Sequence, residues 1–163
     1  MSAPDVYEVT AVKYAHNERA ASGSFMQSDD IHDSEATLDF FVWACVSENR
    51  TFVVDTGYNK ETAERRGRTL IRCPGDGLKL IGVDPAKVED VIITHMHYDH
   101  AGNLELFPNA RFHIQDSEME FVTGRAMTHK AMRHSFVLRD VQEMIAMLYG
   151  DRVVFHDGDE GLY

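Results

Sequence analysis

The chain has 163 residues, 44% hydrophobic and 26% charged, which suits one domain with a buried core and argues against wholesale disorder. Lys and Arg number 16 against 27 Asp and Glu, a net charge of -11. Such a surface repels phosphate backbones, so no nucleic acid is expected as a partner. The longest apolar runs, such as Phe40 to Val46, fall far short of the ~20 residues a membrane span needs. "MSAPDVYEVT" carries no basic-then-apolar leader pattern, and Cys45 and Cys73 form no CxxC pair. These features predict a cytoplasmic protein with reduced thiols and no membrane partner.

In chain order, "YEVTAVKY" (Tyr7 to Tyr14) predicts a first strand by its alternation and β-branched residues. The polar stretch His16 to Ala36 predicts a long loop, and loops of that length in a compact domain are often functional. "LDFFVWACV" (Leu38 to Val46) is apolar on both faces, as expected of a strand covered on both sides. "SENR" then turns the chain into "TFVVDTG", a hairpin partner. "NKETAERRGRTLI" is helix-like and broken at Gly67; "DGLKLIGVDPAKVED" gives a short helix stopped at Gly82 and a proline turn. Strands follow at "VEDVIIT" and "ARFHIQ", then a helix from about Asp116. Arg139 to Tyr149 places Val141, Ile145 and Leu148 on one helical face, and "RVVFH" starts a last strand. The interleaving of strands and helices predicts the α/β class.

"VIITHMHYDHAGN" packs His95, His97, Asp99 and His100 into six positions directly after an apolar strand. His95 and His97 leave the strand at i and i+2 and project to one side, so both can share one metal ion. Asp99 and His100 lie in the following turn and can address a neighbouring ion. Carboxylate oxygen and imidazole nitrogen suit zinc, with Fe, Mn or Co also accepted. Two such ions would generate a nucleophilic hydroxide near neutral pH.

"THMHYDHAGN" resembles the HxHxDH signature of the metallo-β-lactamase-fold hydrolases, and the likeness extends through "FVVDTGYN" and "FPNARFHIQDSEM". Within that superfamily the chain is most similar to the quorum-quenching N-acyl homoserine lactonase-like branch. The resemblance implies an αβ/βα sandwich, of which this chain would form the N-terminal half to two-thirds of a single domain. It implies zinc as the cofactor, as two ions: His95 and His97 holding the first, Asp99 and His100 the second. Asp99 would also be the catalytic proton acceptor, and Asp55 of "DTG" a buried brace for the ligand loop. The implied reaction is the opening of a small-molecule lactone or ester by a metal-bridged hydroxide. A glyoxalase II-like thioesterase and a catalytically incomplete metal-binding half-domain are the alternatives. Phe25 and Met26 in the long loop, with Tyr98 beside the ligands, are the candidate substrate-pocket residues. His113, His129, His134 and His156 lie outside the setting in which the family places its further ligands. Those ligands would come from a missing C-terminal segment, or the chain would pair as a homodimer to cover an exposed sheet face.

Overall fold

In a computed structural model, which describes residues 6–20, 35–159 and 161, strand β1 spans Glu8–Ala20 and pairs antiparallel with β2, Glu35–Val46. Both strands outrun their apolar patterns. The predicted loop gives up its two ends to the hairpin, where His16 pairs with Asp39 and Asn17 with Leu38. Cross-strand hydrogen bonding, not apolar alternation, holds these polar residues extended. The register shifts between Lys13 and Ala15, leaving Tyr14 as a β-bulge. A bulge bends its strand and re-aims one side chain, and this one turns Tyr14 fully inward.

β3 (Thr51–Val54) closes the antiparallel run against β2. Helix α1 (Lys60–Arg66) starts where the Asn59 side chain accepts from the Thr62 N–H and ends at Gly67, whose φ of 61° supplies the left-handed stop. The residues beyond that stop do not resume a helix. They form β4 (Thr69–Leu70), a short edge strand on β1, before α2 (Pro74–Leu80). β5 (Asp90–Ile92), β6 (Arg111–Gln115), α3 (Asp116–Thr123), α4 (Leu138–Tyr149) and β7 (Val153–His156) complete the described chain. The seven strands form one sheet in the order β4-β1-β2-β3-β5-β6-β7, antiparallel as far as β3 and parallel from β3 onward. The class is α/β, as expected.

The core is one-sided. Val12, Val42, Val53, Leu78, Val91, Phe112 and Met144 are buried in a single cluster, each worth about 1.5–3 kcal/mol for its side chain's removal from water. Helix α2 sits close on β1, since a Cβ on Gly77 would stand 2.7 Å from Val12 Cγ1. The other face of β1 and β2 is open: Val9, Phe41 and Trp43 are 59%, 36% and 42% exposed, around a Lys13–Asp39 ion pair. β2 is therefore covered on one side, not two, because among the described residues no element packs over that face.

Helix α4 also departs from its predicted face. Its buried stripe is Asp140, Val141 and Met144, with Ile145 and Leu148 only half-buried. Asp140 is 1% exposed and its Oδ2 has no partner. Burial, reinforced by Glu143 and opposed by Arg139, pushes its carboxyl up to about 7 from an ordinary 3.8. A raised pKa means that stability is fully present below the unfolded value and lost as pH climbs through the folded one. Between pH 4 and pH 8 the parent should lose roughly 2–6 °C of melting temperature relative to Asp140→Asn, measured by thermal unfolding of both at each pH.

Candidate functional site

β3 and β5 are parallel neighbours, so their carboxyl ends lie side by side, and ligand sites of open α/β sheets form outside such ends. Asp55 follows β3, and Thr94 to His100 follow β5. Asp55 has a φ of 64°, a left-handed conformation that Asp tolerates better than most residues, and it is 4% exposed. That turn carries its carboxylate across to the next loop. Oδ1 accepts from the Thr94 N–H at 2.9 Å, the Thr94 hydroxyl lies 2.9 Å from both oxygens, and His100 Nδ1 is 2.7 Å from Oδ2. Backbone bonds reinforce the tie: Thr56 N–H donates to His100 O at 2.6 Å and Gly102 N–H to Gly57 O at 2.8 Å. Gly102 has no room for a side chain, since a Cβ there would meet two carbonyl oxygens at 2.8 and 2.9 Å.

This clamp gathers the imidazoles. The His95 ring lies 3.9 Å from that of His100 and 4.5 Å from that of His97, centroid to centroid. Burial and then the neighbouring ring hold His95 and His97 below the usual histidine range, which favours the neutral imidazole with one nitrogen lone pair. Burial pulls His100 down too, but the Asp55 hydrogen bond and charge outweigh it and leave it raised. With Nδ1–H directed to Asp55, the other nitrogen of His100, Nε2, faces Asp99 Oδ2 at 3.6 Å. Among the described residues no group of three or more His, Cys, Asp or Glu is arranged to hold one ion. The four side chains expected from the sequence are thus neighbours whose chemistry fits a metal, not a closed coordination shell.

Several supports escaped the sequence reading. The bulged Tyr14 donates its hydroxyl to the Asp99 carbonyl at 2.9 Å, fixing the turn from the antiparallel half of the sheet. Glu118, in the first turn of α3, accepts from the Met96 N–H at 2.7 Å, between His95 and His97. Phe136 bridges to His97 through the backbone and packs its ring 4.7 Å from the imidazole. Only Thr94, next to the motif, carried a local signal; the others depend on contacts 22 to 85 residues apart.

Tyr98 is held on its ring and at its hydroxyl by two arginines. It is 7% exposed, with the Arg66 guanidinium 3.8 Å over its ring and Arg68 Nε donating to its hydroxyl at 3.3 Å, so packing uses both its face and its tip. Phe25 and Met26 lie outside the described residues. His129 and His134 are exposed, and His113 is buried between Asp90 and His156, each 2.9 Å from one of its ring nitrogens.

The fold and site define an α/β protein with a histidine-rich centre at the carboxyl ends of parallel strands. The sequence profile of the metallo-beta-lactamase superfamily matches residues 36–158, and the chain belongs to that superfamily. Over 46 residues it is 46% identical to the N-acyl homoserine lactonase AttM of Agrobacterium fabrum, a stretch covering 28% of this chain and 18% of that protein. The Rhizobium johnstonii AttM is 44% identical over the same length. Among solved structures, a quorum-quenching N-acyl homoserine lactone lactonase superposes with a TM-score of 0.71 at 17% identity, covering 99% of this chain and 61% of the other. AidC, a dizinc quorum-quenching lactonase in complex with a product, gives 0.74 at 16% identity, covering 98% and 63%. At that identity the structural likeness is one of fold. The chain spans less than a fifth of those curated relatives and about three fifths of those structures.

The Asp55 clamp predicts a reversal of titration order. In the metal-free chain, Asp55→Ala should move His100 from above the ordinary 6.5 to below it, because burial, the largest influence, is then opposed only by the smaller effect of the Asp99 charge. Histidine ring shifts followed by NMR across pH 5 to 9 would show it. An unmoved His100 midpoint would mean that Asp55 serves only the turn.

Proposed function

We propose that this chain carries the metal-binding core of a metal-dependent hydrolase that opens a lactone of the N-acyl homoserine lactone type, or a related ester. The observation that carries the reading is the clamped group of His95, His97, Asp99 and His100 at the carboxyl ends of β3 and β5. Local identity to AttM supports the lactone as substrate.

In this reading His95 and His97 hold one divalent ion, and Asp99 and His100 a second, with zinc the natural choice for such donors. Groups outside the described residues, solvent or substrate fill the remaining positions. The chemistry such ions supply is polarisation of a carbonyl and acidification of water near neutral pH. The chain's own residues do the rest. Asp55 holds Nδ1 of His100 so that Nε2 presents its lone pair, and Thr94 fixes the same carboxylate. Low-lying His95 and His97 need shed no proton to act as donors. Asp99, pinned through its carbonyl by Tyr14, accepts the proton released when water adds to the acyl carbon and returns it to the departing alkoxide. The overall charge of -11 favours a neutral substrate over a polyanion.

Protein purified without chelators should contain zinc or a similar ion, and His97→Ala should lose most of it, by elemental analysis. Asp99→Asn should keep part of the metal yet lose roughly 100-fold or more in rate on a lactone panel. Chelation should abolish that rate and added Zn²⁺, Mn²⁺ or Co²⁺ restore it. Hydrolysis of S-acyl glutathione thioesters with no lactone opened would replace the lactonase by a glyoxalase II-like thioesterase. Metal without any acyl hydrolysis would leave a metal-binding half-domain.

A further inference from the structure

On β6 the side chains alternate: Phe112 and Ile114 are buried in the core, so Arg111, His113 and Gln115 face the other side of the sheet. The parallel register sets His156 of β7 beside Gln115 and Asp90 of β5 beside Arg111, on that same face. Asp90 Oδ1 lies 2.9 Å from His113 Nε2, and His113 Nδ1 lies 2.9 Å from His156 Nε2. Asp90 is 4% exposed, and Arg50 and Arg111 donate to its two oxygens at 2.9 and 2.8 Å. Burial works against its charge, but the hydrogen bonds from His113 and Arg50 and the charges of both arginines hold its carboxyl below the usual range. An ionised Asp90 can only accept, so the proton of a neutral His113 sits on Nε2 and its lone pair on Nδ1.

A buried carboxylate behind one imidazole is the support that metal-ligating histidines usually have. A cavity of about 420 Å³ opens beside the pair, and Thr94, Gln115 and Gly158 share its wall with the two histidines. Gln115 and Gly158 exchange hydrogen bonds of 3.0 and 3.1 Å, which hold the chain after β7 against this spot. Two nitrogens on one tetrahedral zinc ion, each about 2.0–2.1 Å from it, stand about 3.3 Å apart. Opening the 2.9 Å contact by about 0.4 Å therefore admits an ion. We propose that His113 Nδ1 and His156 Nε2 form a metal site outside the central histidine cluster, open to solvent and suited to Zn²⁺ or another late first-row divalent cation, with Asp90 orienting His113. On binding, His156 moves its proton from Nε2 to Nδ1, so that both facing nitrogens hold lone pairs. Among the described residues no third His, Cys, Asp or Glu completes the shell, so water in the cavity fills it. The ion ties β7, the last strand of the sheet, to β6.

The test titrates Zn²⁺ into the parent and into His97→Ala, whose central cluster has lost a donor, and follows the histidine rings by NMR. In both, the His113 and His156 rings should shift together along one binding curve, and the exposed His129 and His134 should need at least 10-fold more zinc to move. His156→Gln, made in the His97→Ala chain at a half-buried position, should remove one equivalent of bound zinc by equilibrium dialysis. Asp90→Asn should weaken the site roughly 10–100-fold. Zinc should raise the melting temperature of His97→Ala more than that of the chain that also carries His156→Gln, because the ion binds only where the two strands are paired. His113 and His156 rings that do not respond to zinc, or equal zinc content with and without His156→Gln, overturn the site and leave the pair a hydrogen bond between strands. Undiminished binding in Asp90→Asn overturns the part given to Asp90. The ring shifts in the parent decide the matter even where a variant fails to fold.

Discussion

One buried carboxylate organises the site. Asp55 lies at the end of β3 in a left-handed turn, almost out of reach of water, and its charge is tolerable only because three donors meet it. All three belong to the loop after β5, so stabilising the carboxylate and shaping the loop are one event. The clamp exists because parallel strands β3 and β5 are neighbours, with their ends roughly 4.8 Å apart. An antiparallel pair would have put the two turns at opposite ends of the sheet.

Two further struts reach the same loop from other directions. Tyr14 comes from the antiparallel half, aimed by a bulge, and holds the carbonyl of Asp99. Glu118 comes from the start of α3, which leaves β6 at the same end of the sheet, and holds the peptide between His95 and His97. The histidine segment is thus fixed through its backbone on both sides, and Asp55 takes Nδ1 of His100 as well. Such preorganisation suits a centre whose donors must already be neutral and oriented when a metal arrives. The charge pattern agrees: the two histidines without a carboxylate partner are held low, and the one bonded to Asp55 is raised.

The sheet is finished differently on its two faces. Helices bury one face in a continuous core, whereas β1 and β2 present Val9, Phe41 and Trp43 outward. The chain covers about three fifths of the solved lactonase-fold structures it superposes on.

The motif was legible because its information is local. Three imidazoles and a carboxylate within six positions, after an apolar strand and before a glycine, constrain the chemistry almost regardless of the remaining fold. The same holds for the stop at Gly67, where a left-handed position demands a residue without a Cβ. The hairpin's extension through His16 and Asn17, the edge strand β4 and the single-sided cover of β2 were not legible, since each depends on a distant partner that overrides local pattern. Tyr98 shows the limit most clearly: its place in the motif said nothing of Arg66 and Arg68, which α1 and the turn after it bring against its ring and hydroxyl. The sequence by itself determined which atoms could bind a metal, because donor chemistry belongs to the residue. Only the tertiary structure decided how they are held and what lies beside them, because Asp55, Tyr14, Glu118 and Phe136 meet the motif through the sheet, not along the chain.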